Sequence, residues 1–125
     1  MRPCSPMNNC QDAAQEISQA IGQALELQIE GRLDEAEAAF KKILQAHPGH
    51  ADALNLSGML SYQRRRVEEA AERIAQAIAA DGANAAYFAN QAMVLATLDR
   101  TDEVEASLRR ALELDPGNTS FLLSL

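Results

Sequence analysis

The chain has 125 residues, 47% of them hydrophobic and 4% aromatic, with a formal net charge of −7. Alanine supplies much of the apolar content, which suits a helical domain with one core, and the acidic balance argues against nucleic acid, because phosphate binding needs a basic face. No apolar run reaches transmembrane length and the start lacks a signal-peptide core, so the default location is the cytoplasm, with no membrane partner expected.

In chain order, residues 1–11 (MRPCSPMNNCQ) show no helical period, and Pro3 and Pro6 discourage helix, so they read as a flexible tail. Asp12 followed by Gln15 has the pattern of a capping box that opens the first helix. Helices are predicted near 13–30, 33–46, 51–64, 67–80, 85–98 and 101–114, and no stretch reads as a strand. Each short turn within a helix pair ends in acidic residues, Asp34 with Glu35, Glu68 with Glu69 and Asp102 with Glu103, which complement the positive end of the second helix. The same second helices are expected to finish in basic residues, Lys41 with Lys42 and Arg109 with Arg110, and Pro48 and Pro116 then stop them, with Gly82 in the middle unit. The last residues, TSFLLSL, begin a seventh helix whose Phe121, Leu122, Leu123 and Leu125 are apolar. Three readings follow for that segment: a minimal cap over the last pair, a surface covered by another copy in self-association, or the front of something longer.

Pro48, Gly82 and Pro116 recur every 34 residues, as do Ala36, Ala70 and Val104, then Phe40, Ile74 and Leu108, then Ala24, Gly58 and Ala92. A unit of this length is two antiparallel helices, too thin to bury its own apolar face, so neighbours must stack. The repeats are 17–50, 51–84 and 85–118, within a domain of residues 12–125, with 119–125 a capping helix or the start of a fourth repeat. Small or modest residues recur at unit positions 8, 20 and 27, where they let helix axes approach, while the large residue at position 24 fills the space left.

These residues resemble the tetratricopeptide repeat, whose 34-residue pattern has small residues at positions 8, 20 and 27, a large apolar residue at 24 and proline at 32. The stretch RTDEVEASLRRALELDPGN (100–118) carries the likeness best, with GRLDEAEAAFKKILQAHP (31–48) close behind. Departures are Ala20, Leu54 and Phe88 in place of tryptophan at position 4, Arg65 and Asp99 where a turn glycine is usual, and Val104 for alanine. The resemblance implies an all-α, right-handed superhelix of antiparallel helix pairs, and a groove lined by the first helix of each unit. Carried over by register, that groove presents Ile21, Leu25, Gln28 and Ile29 from the first unit. Asp52, Asn55, Met59, Tyr62 and Gln63 follow from the second, and Ala89, Asn90, Met93, Ala96 and Thr97 from the third. The methionines, Leu25 and Tyr62 would form a soft apolar stripe suited to an adaptable binding surface.

A subclass of the family holds a peptide's terminal carboxylate with lysine, arginine and asparagine. The matching positions here are Ile21, Leu25, Leu56, Ala86 and Asn90, so that clamp is absent and chaperone tails are poor candidates. The run HPGHADALNLSGMLSYQ and the placement of Asn90 resemble arrays that precede catalytic domains in O-linked N-acetylglucosamine transferase-like enzymes and some bacterial sulfotransferases. Only Asn90 meets the inner asparagine position of such arrays, with Gly22 and Leu56 in the others.

Sites of chemistry are not expected. Cys4 and Cys10 match no zinc or redox spacing and read as reduced and unpaired. His47 and His50, with Asp52 following, read as exposed loop residues rather than metal ligands, and Arg64, Arg65 and Arg66 as a solvated turn. No nucleophile has a base partner in a recognisable motif, and no phosphate loop occurs, so neither an enzyme nor a cofactor is predicted. The function expected is a protein-interaction scaffold that binds an extended or helical peptide segment of a protein or peptide partner in its concave groove. The alternatives are the substrate-recognition array of a larger glycosyltransferase or sulfotransferase, and a small bacterial secretion chaperone.

Overall fold

The computed structural model describes residues 6–117. Six helices run in order: α1 (Pro6–Ile29), α2 (Leu33–Ala46), α3 (Ala51–Gln63), α4 (Val67–Ala80), α5 (Ala85–Thr97) and α6 (Thr101–Leu114). No strand occurs among the described residues. The chain divides between Ala46 and His47 into two compact units, the first holding α1 and α2, the second α3 to α6.

α1 corrects the reading of the first residues, because it starts at Pro6 and carries the backbone of residues 6–11 in helix. A proline in the first turn gives up only an N–H that has no intrahelical partner, so Pro6 can open a helix that it could not continue. Asp12 and Gln15 therefore lie within α1 and are not its cap. The apolar residues Phe121 to Leu125, and with them the reading of self-association, lie outside the described residues.

Each hairpin closes in the same way. Gly31, Arg65 and Asp99 have φ of 83°, 66° and 59°, the left-handed conformation. The next residue's N–H then bonds five residues back: Arg32 to the Leu27 carbonyl (2.9 Å), Arg66 to Ser61 (2.8 Å) and Arg100 to Leu95 (3.1 Å). These are Schellman closures 34 residues apart, and they cap the carbonyls left open at each first helix's end. Arg32, Arg66 and Arg100 serve a second purpose, each reaching a glutamate three residues on: Glu35 at 2.6 Å, Glu69 at 3.8 Å and Glu103 at 2.7 Å. Arg66 is thus an ion-pair partner within its own turn.

The first helices of the second unit are capped at their starts by His50 and Asn84, again 34 apart. His50 Nδ1 accepts from the Ala53 N–H at 3.2 Å, and Asn84 Oδ1 from Ala86 at 2.9 Å. The acidic first turns of α2, α4 and α6 are as expected, but no helix has a basic residue in its last turn. α2 and α6 run on to Ala46 and Leu114, a turn past those lysines and arginines. Arg109 and Arg110 pair along α6 with Glu105 and Glu113 instead.

The packing positions behave as their spacing predicts. Ala24, Ala36, Phe40, Ala70, Ile74, Ala77 and Ala111 are fully buried, and Ile43, Ala92 and Leu108 nearly so, while Val104 is half-buried. In the second unit α3 pairs with α4 and α5 with α6, α4 packs on α5, and α3 also touches α5. Ala70, Ile74 and Val94 form the centre of that unit, with Met59, Tyr62, Val67, Ala71 and Ile78 against them. Among the glycines, Gly58 has the closest neighbours: a Cβ there would come 2.9 Å from Ile74 Cγ1 and 3.2 Å from the Ala70 carbonyl oxygen.

Two substitutions test this geometry. Arg65→Gly relieves a left-handed non-glycine residue, which costs ~1–2 kcal/mol, against ~0.4–1 kcal/mol of added freedom in the unfolded chain. Denaturant unfolding should therefore show a gain of about 1 kcal/mol, and a smaller one for Asp99→Gly, since aspartate tolerates this conformation. Gly58→Ala should lose about 1 kcal/mol or more despite alanine's helix propensity, because overpacking a filled contact costs ~1–3 kcal/mol. A more stable Gly58→Ala chain would mean that the α3–α4 contact can give.

Candidate functional site

α3 and α5 are the first helices of consecutive repeats, and their side chains meet in pairs 35 residues apart. The Tyr87 hydroxyl donates to Asp52 Oδ1, Asn90 Nδ2 donates to Asn55 Oδ1 at 3.1 Å, and Tyr62 and Thr97 share a hydrogen bond at 3.0 Å. Thr97 also donates its single hydroxyl proton to the Met93 carbonyl oxygen at 3.2 Å, so Tyr62 is the donor in that last pair. Between the second and third rungs, Met59 packs on the Ala70, Ile74 and Val94 cluster. The result is an α3–α5 face of three polar rungs with an apolar step among them.

Exposure sorts the candidates on this face. Asn55 is buried at 6% and its side chain is a support for Asn90, which is half-buried. Met59, Tyr62 and Ala89 are half-buried, while Gln63, Ala96 and Thr97 are exposed. Met93, at 40%, is among the large hydrophobic side chains open to solvent. The pair between the asparagines consumes one donor and one acceptor, so Asn90 retains an amide oxygen that can accept from a ligand's main chain. Ile21, Leu25 and Gln28 lie half-buried on one face of α1 in the first unit, and Ile29, at its end, is 84% exposed.

Tyr87 was not among the groove positions read from the sequence, yet it anchors a rung. It is buried, and its hydroxyl holds its proton well above the ordinary value of 10.0, chiefly through burial and then through the hydrogen bond to Asp52. Comparison of equal repeat positions carries no signal of it, because Asp52, Asn55 and Tyr62 each find a partner 35 residues on, one more than the repeat. Below the face, a polar network ties α3 to α4. Arg73 donates to Ser57 Oγ and lies 3.7 Å from Glu69, which accepts from Ser61 at 2.8 Å. The matching position in the next hairpin holds a neutral pair, Ser107 donating to Gln91 at 2.9 Å. His50, weighed as a metal ligand, spends Nδ1 on capping α3.

Sequence profiles described as tetratricopeptide repeat match residues 27–94 and 85–118. The chain belongs to the tetratricopeptide repeat family. No curated protein sequence matches it. Among solved structures, the first TPR of Spaghetti (RPAP3) bound to an HSP90 peptide superposes with a TM-score of 0.83 at 18% identity, over 89% of this chain and 88% of that one. The second TPR domain of human RPAP3, in complex with an HSP70 peptide, gives 0.81 at 21% identity, over 90% and 93%. A Thermobaculum terrenum O-GlcNAc transferase mutant gives 0.79 at 30% identity, over 86% of this TPR chain but 21% of that protein. With these scores and six helices of the repeat pattern, the fold is an all-α helical repeat of the TPR kind. No helix among the described residues is long and apolar enough to cross a membrane.

The raised Tyr87 hydroxyl makes a pH prediction with a definite sign. A group whose folded-state pKa lies above its unfolded value stabilises fully below the unfolded value and loses that contribution as pH rises past it. Thermal unfolding should therefore show stability falling above about pH 10, from the ordinary value of 10.0 upward. In Tyr87→Phe that alkaline fall should shrink, with the neutral-pH stability lower by about 1 kcal/mol for the lost hydrogen bond. An alkaline limb identical in the two proteins would remove Tyr87 as its source.

Proposed function

We propose that this TPR chain is a protein-interaction scaffold that holds an extended peptide segment against the α3–α5 face. The observation that carries the reading is the Asn55–Asn90 rung, in which a buried asparagine orients a half-buried one toward solvent beside exposed Met93. Asn90, Gln63 and Thr97 supply hydrogen-bonding groups for a main chain, and Met59, Met93, Ala89 and Tyr62 supply apolar contact. The RPAP3 TPR domains seen with HSP90 and HSP70 peptides lend support by fold. The ligand chemistry proposed differs from a captured terminal carboxylate, since Ile21, Leu25, Leu56 and Ala86 offer no cation at the clamp positions. No catalytic step, metal or cofactor enters this reading.

Pull-down with the purified chain, compared with Met93→Glu and Asn90→Ala, tests it. Both substitutions sit at exposed or half-buried sites and should leave the helical signal intact. Each should weaken recovery of a peptide partner by about tenfold, the equivalent of ~1.4 kcal/mol. Identical partners at identical affinity would remove the α3–α5 face as the binding surface.

A second reading, a substrate-recognition array of a larger transferase, is favoured by the 30% identity to the Thermobaculum terrenum enzyme over 86% of this chain. It expects further repeats and a catalytic domain encoded after the Leu125 codon. A stop codon directly there would count against it.

A further inference from the structure

We propose that the groove between α4 and the α5–α6 hairpin is a second docking surface, and that its occupant is a basic amphipathic helix of a partner protein. The groove encloses about 500 Å³. Its floor is mainly apolar, with Leu95 of α5 and Leu98, the residue that caps it, facing Ala71 and Ala75 from α4; Gln91 also lines it, and the two alanines leave the room that larger side chains would take. Its rim is acidic. Glu68 and Glu72 stand one turn apart on α4, both exposed, and neither has a cationic partner among the described residues. On the far side Glu103 is answered by Arg100, so the uncompensated charge of the groove comes from the two α4 carboxylates.

The combination selects the ligand. Two carboxylates at i and i+4 lie about 6 Å apart, the spacing of two lysines one turn apart on a facing helix. Lysine stems lie along apolar surface while their ammonium groups reach carboxylates, and leucines at i, i+3 and i+4 of the same helix fill a floor of this kind. An overall charge of −7 favours encounter with such a segment. This surface is separate from the α3–α5 face: on α5, Leu95 projects well over a third of a turn away from Asn90 and Thr97. The two sites can therefore be occupied together.

The test uses the full chain, isotope-labelled for NMR, and a synthetic 14-residue amidated peptide with leucines on one helical face and lysines on the other. A second peptide has glutamate for every lysine. Amide shifts should centre on residues 68–75 and 95–98, and Glu68→Lys with Glu72→Lys should weaken binding about tenfold. The glutamate peptide should not bind. Shifts centred on Asn90 and Thr97, shifts spread evenly over the surface, or unaltered affinity in the charge-reversed chain would overturn the proposal. If circular dichroism shows the double variant unfolded, Glu72→Gln is compared alone, and an affinity equal to that of the unchanged protein overturns it. The position of the shifts tells the two surfaces apart, so failure at one is distinguishable from failure at the other.

Discussion

Close approach of two helices at a position with no side chain is the contact on which the second unit depends. Gly58 on α3 lies so near Ile74, Ala70 and Arg73 of α4 that even a methyl group there would have to displace them. Such an approach lets Ile74 reach through the hairpin to Val94 of the next repeat, and the shared cluster makes two hairpins into one core. Neither hairpin would bury enough apolar surface alone. The half-buried Met59 and Tyr62 follow from the same contact, since both lean on that cluster while part of each remains open to a ligand.

The polar rungs are a consequence of how α3 and α5 are aligned. Corresponding residues of two repeats are 34 apart, but the side chains that touch are 35 apart, so position 5 of one unit meets position 6 of the next. Comparing equal positions leaves Asn90 alone, opposite Leu56; the structure puts it beside Asn55. A rung of this kind gives a buried amide a partner and orients a half-buried one with a single hydrogen bond, which makes it both structural and available for recognition. The two grooves of the second unit differ in the same terms. One presents hydrogen-bonding groups and methionine, the other a mainly apolar floor under the exposed carboxylates of Glu68 and Glu72.

The 34-residue spacing was sufficient to place five of the six helices to within a residue at each end, because punctuation and packing positions repeat together. It failed at α1, whose start has no earlier repeat to be compared with and where proline was read as a breaker rather than an opener. It failed also for the basic residues of α2 and α6, which sit a turn inside helices whose ends were otherwise correct; those of α6 pair laterally. The Arg32, Arg66 and Arg100 series was in the sequence at the repeat spacing, yet a run of three arginines at 64–66 disguised its middle member. His50 looked like a loop histidine because a ring nitrogen as a helix cap leaves no mark distinct from any other loop position.

What the sequence determined by itself is the repeat: its length, the helix pairs and the small residues that are buried. Each of these depends on neighbours close along the chain or on a spacing that recurs. What tertiary structure alone decided is which side chains meet across α3 and α5, that Tyr87 anchors a rung, and that α4 and α5 leave an acid-rimmed groove. Those contacts depend on the axial shift between two helices. A one-residue shift arises from how their core side chains interlock, so it is a property of packing in three dimensions rather than of any local pattern.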